Sequence, residues 1–278
     1  MKKIIVSVMF FAALAVTTFG QSLQLKWSSD TVLRIPESVL FDSKANVLYV
    51  SNIDGKSGEK DGKGFISKMS PDGKIIALEW ATGLNAPKGM GLNKGSLYVA
   101  DLTGVAVFDV ATGKQTNRVE IEGAKFLNDI TIDSKGNVYI SDSETRKIHK
   151  LSGNKAELYF ESPEFKRING LLALKDELYV ADAGNGKNYK LSADKKLTPY
   201  AETAPGADGI VLVGKDEYIV SSWSGEVYFV DANRKSQKLL DTKEQKLNSA
   251  DIDYDSKTKT VFVPTFNGNK VMAYEFKK

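Results

Sequence analysis

One motif recurs six times along the chain, and this repetition constrains the fold more than any other feature of the sequence. Each copy begins with a polar residue, continues through a short apolar strand and a turn, and ends in a second apolar strand that holds Tyr-Val or a close equivalent. We call the opening polar residue of each copy its anchor. The first two anchors are 51 residues apart and the later intervals lie between 39 and 43. The anchors are Glu37, Lys88, Asn128, Asn169, Asp208 and Asp251.

Two further segments with strand character follow the motif in the first five copies, so each of these five repeats contains four candidate strands. Val, Ile, Tyr and Phe alternate with polar residues between turn signals, and no long stretch shows a helical period. A period near 40 residues with four strands is typical of a β-propeller blade. A β-sandwich does not predict this period, and a β-solenoid has shorter turns. The sequence therefore predicts an all-β, six-bladed β-propeller with four antiparallel strands per blade.

The two ends of the repeat array predict how the ring closes. The sixth copy reaches Lys278 without a fourth strand. Residues 23–30 have strand character and belong to no repeat. We expect this N-terminal strand to supply the missing outer strand and close the ring, so that residues 21–278 form a single domain.

The first twenty residues have the pattern of a signal peptide. Lys2 and Lys3 precede an apolar run at residues 4–16, and small or uncharged residues continue to Gly20. The run is shorter than the roughly 20 residues that cross a bilayer, which disfavours the alternative of an uncleaved membrane anchor. We expect cleavage after Gly20 and a periplasmic or secreted protein with no membrane partner. The net charge of +3 is too small to indicate nucleic acid, and we expect a monomer.

The residue types narrow the chemistry of any metal site. The chain has no cysteine and one histidine, His149, which lies in the third strand of its repeat, where we predict a structural role. Thiolate and multi-histidine metal sites are therefore excluded. Equivalent repeat positions converge near the axis of a propeller, and most of the anchors carry oxygen. Oxygen ligands suit Ca²⁺ best, then Mg²⁺ or Mn²⁺, with Zn²⁺ as a less suitable divalent cation.

Four of these anchor motifs resemble those of the gluconolactonase/regucalcin family of six-bladed propellers, which is also called senescence marker protein-like. The resemblance covers residues 21–278. The matching motifs are Pro36-Glu37-Ser38, Asn128-Asp129 with Asp133 and Gly136, Asn169-Gly170-Leu171, and Asp208-Gly209. The metal set implied by the resemblance is Glu37, Asn169 and Asp208, with Asn128 as a fourth ligand or a substrate contact.

The resemblance implies an exported, metal-dependent hydrolase that opens a lactone or related ester, with the cation as Lewis acid. Its small-molecule substrate would bind at the anchors. Asp208 is the first candidate for general base or nucleophile and Asp129 is the second. Asn128 would position the substrate. Lys88 would bind a substrate carboxylate or pair with Asp251, which is the remaining substrate-binding candidate.

The sequence departs from the family pattern at several positions, and two of these departures, Phe126 and Lys88, favour a different function. Val39, Leu40 and Phe41 stand where the family has Pro and Trp, and Phe126 stands where sugar lactonases often have Arg. The alternative is a non-catalytic propeller that binds a ligand or a protein and keeps a vestigial or structural metal site. The first repeat also carries an insert at residues 55–64. We expect an exposed loop there, with a flap over one end of the channel as the other interpretation.

Overall fold

Six four-stranded antiparallel sheets surround a central channel in the computed structural model, which describes residues 20–278. The predicted all-β, six-bladed propeller is confirmed. The described residues contain no α-helix, and their single 3₁₀ helix, η1, spans Phe266–Gly268. No helix within this part of the chain has the length and apolarity needed to cross a membrane. The predicted signal peptide at residues 1–20 lies outside the described residues except for Gly20.

Strands are numbered in chain order, beginning with β1 (Ser22–Ser28). Blade 1 contains β2 (Pro36–Asp42), β3 (Val47–Asn52), β4 (Gly64–Met69) and β5 (Ile75–Leu84). Blade 2 contains β6 (Pro87–Asn93), β7 (Ser96–Asp101), β8 (Gly104–Asp109) and β9 (Gln115–Glu120). Blade 3 contains β10 (Leu127–Ile132), β11 (Val138–Asp142), β12 (Lys147–Ser152) and β13 (Lys155–Glu161).

The remaining three blades complete the ring. Blade 4 contains β14 (Ile168–Leu174), β15 (Glu177–Asp182), β16 (Lys187–Leu191) and β17 (Leu197–Glu202). Blade 5 contains β18 (Ala207–Gly214), β19 (Glu217–Ser222), β20 (Glu226–Val230) and β21 (Ser236–Asp241). Blade 6 contains β22 (Asp253–Asp255), β23 (Thr260–Pro264), β24 (Val271–Lys277) and, as its outer strand, β1. The first strand of each blade is innermost and contacts the inner strands of its neighbours.

The ring closes through the N-terminal strand, as the unassigned segment predicted. β1 pairs with β24 in antiparallel register, with Ser22 opposite Lys277 and Ser28 opposite Met272. Trp27 on β1 donates its indole N–H to the Pro71 carbonyl of blade 1 at 3.0 Å. The closing strand is therefore tied to two blades, because it completes the sheet of one and bonds to the next.

The hydrophobic core lies between the blades rather than at the axis. Six clusters of buried side chains each join two neighbouring blades. Between blades 1 and 2, for example, Tyr49 and Ile66 pack with Val99 and Phe108. Successive side chains of a strand point to opposite faces, so a strand with both faces covered contributes to two clusters. The axis is thereby left to the inner strands and their polar anchors.

Candidate functional site

Five of the six predicted anchors line one cavity at the mouth of the channel. Each is the second residue of an inner strand, which places the five at equivalent heights in neighbouring blades. They are Glu37 of β2, Lys88 of β6, Asn128 of β10, Asn169 of β14 and Asp208 of β18. The cavity has a volume of about 510 Å³, which suits a small-molecule ligand.

The sixth anchor was predicted one residue too late. In blade 3 the serine of the second strand, Ser141, donates to the carbonyl of the next anchor, Asn169, at 2.7 Å. Ser221, at the same position in blade 5, donates to the carbonyl of Ala250 at 2.7 Å. Ala250 therefore holds the anchor position of blade 6, and Asp251 follows it. The prediction fell on Asp251 because acidic residues surround it, and because an alanine at the anchor position gives no polar signal.

Asp251 lies below the cavity rather than on its wall. Its Oδ2 atom accepts a hydrogen bond from Ser38 Oγ at 2.5 Å, and its backbone bridges to the same residue of blade 1. No ion pair joins it to Lys88 among the residues from 20 to 278. The structure therefore gives Asp251 a contact between blades and does not bring it to the predicted substrate-binding position.

Asp129, the second catalytic candidate, is also buried below the cavity. Its Oδ1 atom accepts from the backbone N–H of Ile130 and its Oδ2 atom from that of Leu171 in blade 4, each at 2.6 Å. A Cβ atom on Gly89 of blade 2 would lie 2.3 Å from Asp129 Oδ1, so only glycine leaves room for this carboxylate. Asp129 thus links inner strands and does not line the cavity wall.

Two carboxylate oxygens among the anchors have no hydrogen-bond partner in the described part of the chain. Glu37 Oε2 and Asp208 Oδ1 are buried and make no hydrogen bond among the described residues. Buried polar atoms are nearly always satisfied, so such exceptions indicate a missing ligand, ion or water. Asn128 donates its Nδ2 protons to Ser143 Oγ at 3.0 Å, which leaves its carbonyl oxygen toward other partners. Asn169 adds a second amide to the same wall.

The anchors would hold a cation through oxygen atoms only. Two carboxylates and two amides form a donor set of the kind that hard cations such as Ca²⁺ prefer. In the described part of the chain, no group of three or more His, Cys, Asp or Glu side chains is arranged to hold a metal ion. The fit therefore depends on the amides of Asn128 and Asn169 as much as on the two acids.

Burial strongly perturbs the acids of the channel. Loss of hydration raises the pKa of Glu37 to about 8, against the attraction of Lys88. Loss of hydration also raises the pKa of Asp208 well above its ordinary range, and repulsion from Glu37 and Asp251 adds to the effect. Asp251 reaches a pKa of about 7 for the same first reason. A cation among these groups would replace the proton that burial otherwise favours.

These shifts predict that the metal-free protein loses stability as pH rises. An acid whose pKa is raised by folding binds its proton more tightly in the folded state, so the free energy of unfolding falls as pH rises from the unfolded to the folded pKa. For Glu37 that window runs from 4.5 to about 8. The windows of Asp251 and Asp253 overlap it and run from 3.8 to about 7 and from 3.8 to about 6. Burial lowers the pKa of His149 below its ordinary value of 6.5, so this group opposes the acids at pH values below 6.5.

Melting temperature measured in EDTA should therefore fall by about 5 °C or more between pH 5 and pH 8. With Ca²⁺ in excess the decline should be smaller, because the cation favours the ionised carboxylates. A melting temperature that rises across this range in EDTA would contradict the assigned burial of the acids.

Lys88 places a buried ammonium group in the same ring. Its side chain is 1% exposed, and Nζ donates to the carbonyls of Ser57 at 3.0 Å and Ala86 at 2.9 Å. Burial lowers the pKa of Lys88, and the attraction of Glu37 opposes that shift. Ser57 belongs to the insert of blade 1. Residues 58–63 of the insert are exposed, as expected of a loop, but Ser57 reaches the cavity and forms part of its wall.

An aromatic and cationic rim surrounds the ring of anchors. Lys88 Nζ lies 4.5 Å from the centre of the Phe126 ring, and Arg167 Cζ lies 5.2 Å from it. Trp223 packs edge-on against Phe266 with ring centres 5.5 Å apart. The anchors alone did not indicate Arg167 and Phe266. Arg167 stands two residues before Asn169, as Phe126 stands two before Asn128, so the repeat spacing was the signal that could have found it.

His149 lies away from the cavity, and its structural role stays a prediction. It is 6% exposed on β12, the third strand of blade 3, and its Nε2 atom is buried without a partner among the described residues. The cavity wall contains no histidine within the described chain.

Comparison with known proteins shows the fold and leaves the family unassigned. No family model matches the sequence, and no curated protein matches it. The chain is similar in structure to a catalytically inactive histidine-to-alanine variant of virginiamycin B lyase from Staphylococcus aureus with quinupristin, at a TM-score of 0.66 and 14% identity, covering 92% of this chain and 99% of that one. It is also similar to a streptogramin B lyase, at a TM-score of 0.66 and 13% identity, and this match covers 93% of this chain and 98% of that one.

A third similar structure comes from Bacteroides thetaiotaomicron and is described as a protein of unknown function. Its TM-score is 0.69 at 12% identity, and the match covers 93% of this chain and 76% of that one. At these identities the likeness concerns the fold alone. The resemblance to the gluconolactonase/regucalcin family therefore stays a prediction from the anchor motifs.

Proposed function

We propose that the protein is an exported, metal-dependent hydrolase of the lactonase type. Glu37, Asn128, Asn169 and Asp208 would hold the divalent cation, with Ca²⁺ as the first choice. The observation that carries the proposal is a pair of buried carboxylate oxygens, Glu37 Oε2 and Asp208 Oδ1, that have no partner among residues 20–278 and lie in the wall of a small-molecule cavity. When bound, the cation would supply Lewis acidity to an ester carbonyl.

Asp208 is the residue best suited to act on the substrate. A carboxylate has two oxygens, so Asp208 would hold the cation through one and accept a proton from water or attack a carbonyl carbon through the other; its Oδ1 atom has no hydrogen-bond partner among the described residues. Burial raises the pKa of the Asp208 carboxyl in the metal-free protein, and a bound cation would oppose that shift and keep the carboxylate ionised, as a base must be. The bond from Asn128 Nδ2 to Ser143 fixes the orientation of that amide, and its carbonyl oxygen would position the substrate or the cation.

The lyase neighbours suggest a different reaction, which the residues of this cavity do not favour. One neighbour is described as catalytically inactive after a histidine was replaced by alanine. The only histidine of this chain, His149, is buried on β12 and does not line the cavity. We therefore do not propose a histidine-dependent lyase reaction.

A non-catalytic binding protein is the second candidate function, and Lys88 is the observation that favours it. An ammonium group in the ring repels a divalent cation and attracts an anionic ligand. In that case Glu37 and Asp208 would be held protonated or balanced by Lys88, and the cavity would bind its ligand without turnover.

Hydrolysis assays with and without a chelator test the proposal. The purified protein should hydrolyse at least one member of a panel of γ- and δ-lactones, aryl esters and organophosphate esters when Ca²⁺, Mg²⁺ or Mn²⁺ is present. EDTA should remove that activity and added Ca²⁺ should restore it. Calorimetry should show Ca²⁺ binding that releases protons, because the acids of the ring lose them on binding. Ca²⁺ binding without hydrolysis of any member would favour the binding protein, and absence of Ca²⁺ binding would overturn the metal site.

A further inference from the structure

We propose that the cavity selects ligands that carry a carboxylate, held between Lys88 and Arg167 across the Phe126 ring. The apolar part of the ligand would lie against Trp223 and Phe266. For the reaction, this inference rests on the proposed function and names its substrate class as lactones or esters with a free carboxylate. For binding alone, it holds whether or not the protein turns its ligand over.

Opposite charges are separated around the cavity. The two cations come from blades 2 and 4, and Phe126 of blade 3 lies between them. The two acids, Glu37 and Asp208, come from blades 1 and 5, on either side of blade 6. A ligand in the cavity therefore meets a negative side and a positive side. Glu37 and Asp208 would balance a bound cation. Such a cation would still leave Lys88 and Arg167 without an anionic partner.

Lys88 is a buried charge that lacks an ionic partner within residues 20–278. It makes no ion pair among the described residues and donates only to two backbone carbonyls, although an ammonium group has three donors. Buried charges are normally paired, because leaving one unpaired is energetically costly. Balance of Lys88 by Glu37 at a distance is the simpler explanation of this lysine. That explanation does not account for Arg167, whose guanidinium also lies over the Phe126 ring.

Arg167 is held at the cavity by its backbone while its guanidinium stays without an ion pair in the described chain. Its N–H donates to Asp182 Oδ1 at 2.8 Å, and its carbonyl accepts from Ala183 at 2.9 Å. Asp142 holds the N–H of Phe126 in the same way in blade 3, at 3.2 Å. A guanidinium has the planar, two-pronged geometry that binds a carboxylate. The positions of both rim residues are therefore set by the fold before any ligand arrives.

The test compares an acid with its neutral counterpart. Binding of phenylacetate and of phenylacetamide is measured by calorimetry on the purified protein, with Ca²⁺ and with EDTA, for wild type, Lys88→Met and Arg167→Gln. Lys68→Met is the matched control, because Lys68 also lies over aromatic rings, at 5.9 Å from Tyr49 and from Trp80, but outside the cavity. Phenylacetate should bind about 10-fold or more tightly than the amide, and either cavity variant should remove most of that preference.

Arg167→Gln changes an exposed residue, so it serves as the test if Lys88→Met fails to fold. Equal binding of acid and amide, an acid preference that survives the cavity variants, or no binding of phenylacetate at millimolar concentration would overturn the inference. Lys68→Met should keep the preference, and its loss there would also count against the assignment.

Hydrolysis of a matched lactone pair separates this inference from the proposed function. The pair is 5-oxotetrahydrofuran-3-carboxylate and its methyl ester. If both lactones are hydrolysed alike, the inference fails and the proposed function stands. If phenylacetate binds as expected and no lactone is hydrolysed, the proposed function fails and the anion site stands. A preference for the free acid that Arg167→Gln reduces supports both.

Discussion

Replacing Asp208 by asparagine is expected to abolish the rise in melting temperature that Ca²⁺ produces in the wild type and to lower lactone hydrolysis by about 100-fold or more. The change keeps the size of the side chain but removes a carboxylate that would both hold the cation and act on the substrate. Differential scanning fluorimetry in Ca²⁺ and in EDTA, together with initial rates, measures both effects. A Ca²⁺ shift of wild-type size in the variant would remove Asp208 from the ligand set.

Without metal, the same substitution should raise the melting temperature. Burial and repulsion from Glu37 and Asp251 oppose the charge of Asp208, and its Oδ1 atom has no partner among the described residues. Asp208→Asn should therefore melt higher than the wild type in EDTA at pH 8. Glu226→Gln is the matched control. Glu226 is also buried, but it pairs with Lys238 at 3.2 Å and Lys243 at 3.0 Å, so its neutralisation should lower the melting temperature. If both variants melt lower than the wild type in EDTA, the inference that Asp208 destabilises the metal-free protein is wrong.

The fold could be predicted from the sequence because its signals are local and repeated. Each blade consists of neighbouring segments joined by short turns, so the order of strands in the chain is also their order in the sheet. The missing fourth strand of the last repeat and the spare strand before the first one then leave a single economical arrangement, in which β1 pairs with β24.

The anchor positions could be predicted from the sequence wherever the register of the inner strand was correct. Five anchors share one position in their inner strands, and the polar residue at each marks that position. In blade 6 the position holds Ala250, so the acidic pattern around Asp251 and Asp253 moved the prediction by one residue. In a strand, a shift of one residue points the side chain to the other face. Asp251 consequently bonds to Ser38 below the cavity.

The repeat spacing marks the position of Arg167, but the contacts within the rim could not be predicted from the sequence because they form between blades. The closeness of Lys88 and Arg167 to the Phe126 ring follows from how blades 2, 3 and 4 meet, which no single repeat specifies. The same holds for Ser57, since the sequence of an insert does not state which way the loop folds. The sequence did not indicate the buried position of Asp129 for a related reason. Its partner is a backbone N–H of the next blade, at Leu171.

The second large effect concerns the glycines that follow several anchors. Gly170 follows Asn169 on β14, and a Cβ atom there would lie 1.8 Å from the carbonyl oxygen of Asp208 in blade 5. The obstacle is backbone, so no side chain can move aside, and the inner strands of blades 4 and 5 would have to separate. We expect Gly170→Ala to destabilise the protein by about 3 kcal/mol or more. The separation would also displace Asn169 and Asp208 relative to each other and weaken Ca²⁺ binding.

Urea unfolding and calorimetry with Ca²⁺ measure the two consequences of Gly170→Ala. Gly58→Ala is the control, because a Cβ atom there has no neighbour within 4 Å and the residue lies in the exposed insert. That change should leave stability within about 0.5 kcal/mol of the wild type. If the two alanine variants unfold alike, the inner strands of blades 4 and 5 are not in close contact at Gly170. Loss of stability with unchanged Ca²⁺ affinity would instead show that the ligand set tolerates a wider spacing of these two strands.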